Sequence, residues 1–371
     1  MHSCSLTVFW LGYVLDILRQ WEDKVRFGFI TLGKNVPSTR FRFLPYFPYL
    51  HSRGHSCRLW MSYPSVYEHI PWLGWRVSHT IKRANRYRQS LSAQLYRPDS
   101  IYLERGCLND DSLDLDRRFR KLTPRLVLDI DDGIFLERPD KIDQLIAISD
   151  HCIVSNEPIA DYVRQRHQHV TLIPTAVSMQ RYRPKPSLGH SQVAPPVIGW
   201  IGTVPTMAFL EVCSSALRQL AEHHEFELLV VGPSPKPLQQ IDLRGVQVRF
   251  EPWNAAKEID HLHQMDIGIM PLPAGQAWMR YKAATKLVQY LAIGIPAVAS
   301  PIGVNQHILE GNQVGFAAIT SEQWYETLQL LLKNAQLRQE LGRAGRELVT
   351  RKYSIEANAP ILEQVLTGII T

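Results

Sequence analysis

The feature that most constrains the fold is an alternation of short apolar segments with longer amphipathic ones. It begins near Lys24 and starts again near Val197. Short apolar runs bounded by glycine are typical of buried strands, and longer runs of helical periodicity are typical of surface helices. Strands that alternate with helices form a parallel sheet covered on both faces. The sequence therefore predicts an α/β fold with two doubly wound, Rossmann-like domains.

Composition sets the expected domain boundaries. The stretch 178–196 is polar, proline-rich and without periodicity, which is typical of a linker. The apolar stretch 5–18 is short for a membrane span and contains Asp16, so it predicts an interfacial helix or a plain extension. The expected parts are an extension (1–23), a first domain (24–177), the linker (178–196), a second domain (197–352) and a C-terminal helix that returns to the first domain (353–371).

Charge is unevenly distributed along the chain. Residues 1–121 hold 19 Lys and Arg against 10 Asp and Glu, whereas the remainder holds 22 against 25. A basic half favours an anionic partner, such as a membrane surface or a phosphorylated ligand, although a solvated basic face is an equal alternative. The stretch 67–97 mixes aromatic and basic residues, which suits a membrane interface or ordinary core packing. No nucleic-acid-binding motif accompanies it, so no nucleic acid partner is expected.

The cysteines and histidines give no framework for a metal or a disulfide. The five cysteines are scattered and form no C-x-x-C pair, and the histidines lack metal-ligand spacing. This pattern favours a reducing compartment such as the cytoplasm. No G-x-G-x-x-G follows any predicted strand, which argues against a nicotinamide dehydrogenase.

The stretch 280–305 predicts a helix, a glycine stop at Gly294 and then a buried strand. A helix that opens at 282–285 has free backbone N–H groups, which attract phosphate together with the positive end of the helix dipole. Lys282 and Lys286 lie at this end, where positive charge is unfavourable unless an anion binds. The stretch therefore predicts a phosphate-binding helix start, with an ordinary helix as the alternative.

At these motifs the sequence resembles the GT-B glycosyltransferases, and within them the retaining group called family 4. The resemblance covers nearly everything after Lys24. It rests on the stretches 37–50, 128–136, 173–177, 199–203, 230–235, 266–273 and 286–305. It implies two Rossmann-like domains that face a cleft, the first for the acceptor and the second for a nucleotide diphosphate sugar. The implied reaction moves a sugar to a hydroxyl of a glycan or lipid-linked acceptor, with retention of configuration and without a metal or cofactor.

The resemblance also implies the site residues. Those expected to bind substrate in the second domain are Gly202, Thr203, Gly232, Trp253, Arg280, Ala283, Ala284, Thr285 and, at the ribose, Gln289. Those expected in the first domain are Gly33, Ser38, Thr39 and Arg40. The expected catalytic residues are Lys282 and Lys286, which would stabilise the leaving diphosphate, and Asp131 and Asp132, near the acceptor hydroxyl.

The sequence departs from the family at two glutamate positions and in the loop 204–209, where many members carry an Arg and a Lys and this chain has no cation. Many members carry two glutamates eight positions apart, and this chain has Tyr281 and Gln289 there. A non-catalytic scaffold and a nucleotide-sugar epimerase therefore stay open as alternatives. The residues alone also allow purely structural roles: Ser38 or Thr39 as a helix cap, Asp132 as a turn cap and Asp129 as the partner of an arginine.

Overall fold

The computed structural model describes residues 24–185 and 195–368. The predicted extension at 1–23, with its interfacial-helix alternative at 5–18, and most of the predicted linker lie outside the described residues. The described chain divides into two compact units. Unit 1 runs to Ile173 and includes the chain again from Ala359, and unit 2 lies between Pro174 and Asn358.

Unit 1 contains a six-stranded parallel sheet in the order β2-β1-β3-β4-β5-β6. Its strands are β1 (Arg26–Thr31), β2 (Ser56–Met61), β3 (Ser100–Glu104), β4 (Arg125–Ile130), β5 (His151–Val154) and β6 (Val170–Leu172). Its helices are α1 (Phe47–Ser52), α2 (Gly74–Tyr96), α3 (Asp114–Arg120), α4 (Pro139–Ile148) and α5 (Glu157–Arg164). The strand order reverses between β1 and β3, and ligands of such sheets bind at the carboxyl ends of the strands near this point.

Unit 2 repeats the architecture, with the strand order β12-β11-β10-β7-β8-β9, again all parallel. Its strands are β7 (Val197–Ile201), β8 (Glu227–Gly232), β9 (Gln247–Pro252), β10 (Ile267–Met270), β11 (Ala297–Ala299) and β12 (Gly315–Ala317). Its helices are α6 (Val204–Met207), α7 (Glu211–Ala221), α8 (Glu258–His263), α9 (Thr285–Ala292), α10 (Val304–Leu309), α11 (Ser321–Lys333) and α12 (Ala335–Lys352). The order reverses between β7 and β10. The predicted pair of doubly wound sheets is therefore confirmed.

The last helix, α13 (Ile355–Thr367), crosses from unit 2 into unit 1 at Ala359. Within unit 1, its Glu363 accepts hydrogen bonds from the Tyr49 hydroxyl at 2.7 Å and pairs with His55 at 2.8 Å. These contacts fasten the end of the described chain to the α1 region. Across the described residues, none of the helices has the length and apolar character needed to cross a bilayer.

The segment after β1 corrects one prediction. It is split as its two prolines predict, into a π-helical turn (Thr39–Phe43), a 3-10 turn (Leu44–Tyr46) and α1. The predicted cap by Ser38 or Thr39 is wrong, because no side-chain cap bond forms at Ser38 and the Thr39 hydroxyl donates to Glu104 at 2.6 Å. A buried carboxylate is a stronger acceptor than a backbone group, and it takes the hydroxyl away from the helix end.

Candidate functional site

The carboxyl ends of β7 and β8 in unit 2 carry two of the predicted glycines. The Gly202 N–H donates to the Val231 carbonyl at 3.0 Å. A Cβ on Gly202 would lie 2.6 Å from the Trp200 ring and 2.7 Å from the Lys286 Cε. Gly232 accepts a hydrogen bond from the Trp253 N–H at 2.8 Å. The structure thus brings Gly202 directly against Lys286, and Gly232 against Trp253.

Lys286 lies in the first turn of α9 with its ammonium 5.5 Å from the centre of the Trp200 ring. Burial, followed by repulsion from Lys282, lowers its pKa to about 7. Neither lysine forms an ion pair within the described part of the chain, and Arg280 is exposed on the turn that leads to the helix. We call Trp200, Gly202, Lys282, Lys286 and the start of α9 the cationic cluster. An anion bound here would relieve repulsion that the protein alone does not relieve.

The start of α9 has no side chain that caps it. Its N-cap residue is Ala284, and no side-chain hydrogen bond satisfies the first N–H groups. Ala283 and Thr285 are half-buried and Ala284 is buried, so small side chains surround these groups. An uncapped helix start beside two cations is a suitable phosphate site. The predicted helix start is confirmed at Thr285.

The other end of α9 is held by close backbone contact. Gly294 ends the helix with φ +82°, which confirms the predicted glycine stop. A Cβ on Gly342 of α12 would lie 2.0 Å from the Gly294 carbonyl oxygen, and one on Gly345 would lie 2.7 Å from the Leu291 side chain. Glycine at these two α12 positions therefore allows α12 to approach α9 at backbone distance.

Gln289 does not point freely from α9. It is buried, and its Nε2 donates to the Tyr182 hydroxyl at 2.9 Å. That hydroxyl donates to the Glu258 carboxylate at 2.9 Å, and the Trp253 indole N–H donates to the same carboxylate at 3.1 Å. Two predicted nucleotide-binding residues, Gln289 and Trp253, therefore share one buried network. Sequence reasoning missed Tyr182 and Glu258, because Tyr182 lies within the stretch predicted as linker and no motif marks Glu258.

Thr203 is committed to a local turn. It caps the four-residue helix α6, where it forms a reciprocal capping box with Thr206. Its N–H donates to the Thr206 hydroxyl at 3.2 Å. Its predicted role at the diphosphate stays a prediction, since these hydrogen bonds occupy the groups that it would offer.

In unit 1 the three aspartates at the end of β4 have different environments. Asp129 forms a two-point ion pair with Arg42, at 2.6 and 2.8 Å, and accepts a bond from the Tyr102 hydroxyl. All of this is buried, so Asp129 takes the arginine-pairing role that the residues alone allowed. Asp132 is half-buried and accepts a hydrogen bond from the Gly133 N–H at 3.0 Å, which matches the predicted turn cap.

Asp131 is paired with a residue that sequence reasoning missed. The Arg105 Nε donates to Asp131 at 2.5 Å, and a second Arg105 nitrogen lies 3.8 Å from Asp132. Burial opposes ionisation of Asp131, but Arg105 and then Arg42 outweigh it and hold its pKa below the usual range. Arg105 itself is left-handed, with φ +55°, and donates to the Tyr67 hydroxyl at 3.0 Å. Such backbone strain in a non-glycine residue is frequent at functional sites.

Glu104 precedes Arg105 at the end of β3 and is fully buried. Its Oε2 accepts hydrogen bonds from the Leu32 N–H at 2.8 Å and the Thr39 hydroxyl at 2.6 Å. Burial is the main influence on this carboxyl and raises its pKa to about 7. We call Glu104, Arg105, Asp131 and Asp132 the carboxylate cluster. Its position next to the strand-order reversal is the signal that could have identified Glu104 and Arg105 from the sequence.

The remaining predicted residues of unit 1 lie in the loop after β1. Ser38 is buried and its hydroxyl helps to lower the pKa of the Glu104 carboxyl, to which the Thr39 hydroxyl donates. Gly33 packs against Ser65, where a Cβ would lie 2.7 Å from the serine Cβ. The Arg40 guanidinium lies 5.3 Å from the centre of the Phe41 ring. The structure thus gathers Ser38 and Thr39 around Glu104, while Gly33 and Arg40 have other neighbours.

No metal centre is formed within residues 24–185 and 195–368, because no three His, Cys, Asp or Glu side chains converge there. The cationic cluster of unit 2 offers electrostatic stabilisation, and the carboxylate cluster of unit 1 offers hydrogen bonds and acid–base groups.

Comparison with known proteins finds a family match within unit 2. Residues 195–334 match the family described as "Glycosyl transferases group 1". These residues include β7 to β12 and the whole cationic cluster. No curated protein matches the sequence.

Solved structures match over almost the whole chain. A glycosyltransferase from Rickettsia africae has 12% identity and a TM-score of 0.68, and the match covers 94% of this chain and 99% of that one. Sucrose-phosphate synthase from Thermosynechococcus elongatus has 14% identity and a TM-score of 0.69, with coverage of 93% and 99%. HepE from Anabaena, in complex with UDP-glucose, has 12% identity and a TM-score of 0.62, with coverage of 93% and 100%.

At these identities the structural matches establish the fold alone, and the family match is limited to residues 195–334. Two parallel six-stranded sheets in Rossmann-type order carry, in unit 2, a cationic helix start at the strand-order reversal. The chain therefore has the GT-B fold, and within unit 2 residues 195–334 match the glycosyl transferases group 1 family.

Proposed function

We propose that the chain transfers a sugar from a nucleotide diphosphate sugar to a hydroxyl of a glycan or lipid-linked acceptor. The cationic cluster binds the diphosphate, Gln289 binds the ribose and Trp253 lies at the base. The observation that carries this proposal is the pair of unpaired lysines at the uncapped start of α9, where Lys286 has a lowered pKa. The structures of Anabaena HepE with UDP-glucose and Arabidopsis starch synthase IV with ADP support a nucleotide donor.

In the proposed reaction, the bond between the anomeric carbon and the diphosphate oxygen breaks, and the acceptor oxygen bonds to that carbon. Lys282, Lys286 and the α9 N–H groups stabilise the leaving diphosphate, which takes up the acceptor proton. Asp131, held ionised by Arg105, orients the acceptor hydroxyl together with Asp132. Retention of configuration is part of the proposal and rests on the family resemblance.

A thermal-shift titration with UDP, GDP and ADP tests the donor site, because a ligand of the native state raises the melting temperature. We expect one diphosphate to stabilise the protein with and without EDTA. Lys286→Met, which keeps the stem over Trp200 but removes the charge, should abolish the shift. Lys333→Met, on an exposed part of α11, is the matched control and should leave it intact. Stabilisation by none of the three nucleotides at millimolar concentration would reject the proposed donor site.

Analysis of the glycoside product tests the stereochemistry. The anomeric proton coupling of the product, compared with that of the donor, distinguishes retention from inversion. An inverted product would reject the retaining mechanism and leave the donor site unaffected.

We also propose that unit 1 contacts an anionic membrane surface through one face of α2. This helix has no Asp or Glu, and of its five Arg and Lys, Lys82 and Arg86 are buried, which leaves three nearer the surface. Val77, Leu91 and Leu95 lie at spacings that place them on one helix face, and all three are exposed, Leu95 by 85%. Arg76 and Arg88, also exposed, flank them. Trp72, 83% exposed just before the helix, adds an aromatic side chain of the type that membrane interfaces accept.

The proposed location is the cytoplasm, at the inner face of the membrane. The four cysteines that the structure describes are unpaired, which fits a reducing compartment. Co-sedimentation with vesicles tests the membrane contact. We expect binding to vesicles that contain phosphatidylglycerol and little binding to phosphatidylcholine alone. Arg76→Glu with Arg88→Glu should abolish it, and Leu95→Ser should weaken it. Leu330→Ser, on an exposed part of α11, is the control. Equal binding of all variants would exclude the α2 face.

A further inference from the structure

The hydrogen bonds that link Glu258, Tyr182 and Gln289, the predicted ribose contact, have a fixed donor-to-acceptor direction. Glu258 is buried, lies 3.5 Å from an Arg181 nitrogen, and accepts hydrogen bonds from Tyr182 and Trp253. The two donors reach different oxygens of the carboxylate, the Tyr182 hydroxyl Oε1 and the Trp253 indole N–H Oε2. The Tyr182 hydroxyl must therefore direct its single proton to Glu258. Its oxygen is left as an acceptor for its third neighbour.

That third neighbour is Gln289, and the polarity decides which end of the amide it presents. Only the NH2 group of an amide donates, so Gln289 must present Nε2 to Tyr182, as the 2.9 Å contact shows. The carbonyl oxygen then faces away from Tyr182. A ribose hydroxyl needs an acceptor, and the oriented amide oxygen supplies one without a charge.

We propose that Glu258 and Tyr182 are positioning residues that fix the Gln289 amide so that its oxygen accepts a ribose hydroxyl of the donor nucleotide. The proposal rests on the proposed donor site and deepens it. It also explains why this chain has glutamine at position 289, where many members of the family have glutamate. A glutamate there would oppose the lone pairs of Tyr182, whose proton is already committed, and would place a second carboxylate beside Glu258.

The same carboxylate positions Trp253. Its indole N–H donates to Glu258, and its backbone N–H donates to Gly232. Both nitrogens are committed, so Trp253 offers the base its ring and not a hydrogen bond. Glu258 therefore positions both predicted nucleotide contacts, Gln289 through Tyr182 and Trp253 directly.

An exchange of the side chains at positions 258 and 289 tests whether the Tyr182 hydroxyl links these two residues. The variants are Gln289→Glu, Glu258→Gln and the double variant, each measured for melting temperature and for the Kd of whichever of UDP, GDP and ADP binds the wild type. In the double variant Tyr182 donates to the carboxylate introduced on α9 and accepts from the amide introduced on α8, so every hydrogen bond of Tyr182 is restored with reversed polarity. We expect Gln289→Glu to weaken nucleotide binding by at least about tenfold. The double variant should return to within about threefold of the wild type.

Tyr182→Phe supplies the control, because it removes the hydroxyl that links the two positions. In that background the swap should restore neither binding nor melting temperature. Gln289→Ala should weaken binding of the ribonucleotide but not of its 2′,3′-dideoxy form. A double variant no better than Gln289→Glu, or a restoration that persists without the hydroxyl, would overturn the proposal. If the wild type binds none of the three nucleotides, the proposed donor site is wrong. The melting temperatures of the single and double variants then still decide whether Tyr182 links Glu258 to Gln289.

Discussion

Lys286 places its ammonium group 5.5 Å from the centre of the Trp200 ring. The contact joins the start of α9 to the end of β7, and Gly202 is the residue that leaves room for it. A cation above an aromatic face keeps part of its favourable interaction when water is removed. The lysine can thus remain in a partly buried place where an anion is expected.

The pH dependence of donor binding follows from Lys286. Its pKa is about 7 in the free protein, and a bound diphosphate should raise it, because the anion stabilises the ammonium. Binding then takes up a proton above pH 7, and affinity falls as the pH rises, by up to about tenfold per unit. Isothermal titration calorimetry in buffers of different ionisation enthalpy measures this uptake. Lys286→Met should bind weakly, with a much smaller pH dependence. Equal wild-type affinity at about pH 6 and pH 8 would contradict this prediction.

The two strand-end glycines should differ in their tolerance of alanine. A Cβ on Gly202 would meet the rigid Trp200 ring at 2.6 Å, whereas one on Gly232 would meet the flexible end of Met207 at the same distance. We expect Gly202→Ala to reduce both stability and nucleotide binding, with an overpacking cost of about 1 to 3 kcal/mol. Gly232→Ala should cost less, since the methionine can move. Denaturant unfolding of both variants provides the comparison, and a larger loss for Gly232→Ala would show that the ring accommodates the methyl group.

Replacement of Glu104 should make the conformational stability of the protein depend less on pH. Its folded pKa of about 7 exceeds the unfolded value, so the native state binds the proton more tightly between about pH 4.5 and 7. Stability from this group therefore falls as the pH rises through that window, by up to about 3 kcal/mol. Glu104→Gln keeps the oxygen that accepts from Leu32 and Thr39, so we expect it to raise the melting temperature at pH 8 and to change it little at pH 4.5. A gain of equal size at both pH values would point to a cause other than this carboxyl.

Substitution of Asp129 should mainly reduce stability, whereas substitution of Asp131 should mainly reduce catalysis. Removal of one partner from a buried ion pair costs about 3 to 5 kcal/mol, so Asp129→Asn should strongly destabilise unit 1 through Arg42. Asp131→Asn should lower kcat by a larger factor than it raises KM for the acceptor. Urea unfolding and steady-state kinetics of both variants measure the two effects. An Asp131→Asn enzyme of normal kcat would remove this residue from the catalytic group.

The fold was predictable because its signals are local. Apolar runs and glycine stops such as Gly294 lie in contiguous sequence, and the Rossmann-type strand order follows once the alternation is recognised. The cationic helix start was predictable for the same reason, since Lys282, Ala283, Ala284 and Lys286 are neighbours in the chain.

The partners within the sites were not predictable in this way. Arg105 meets Asp131 across 26 residues, and Gln289 meets Tyr182 across 107. Such pairs depend on where the sheet brings separate strand ends, and spacing in one sequence does not reveal them. The wrong cap prediction at Ser38 and Thr39 has the same origin, because the residue that captured the Thr39 hydroxyl lies 65 positions away.

The glycine contact between Gly294 and Gly342 has a consequence for movement. Because the carboxyl end of α9 lies against the backbone of α12, a side chain at position 342 would displace α9. The segment between β10 and Thr285 is less crowded at Gly275, which adopts φ +80° and where a Cβ would meet no atom within 4 Å. An alanine at Gly342 should therefore shift α9, and Lys286 with it, without altering any residue of the cationic cluster.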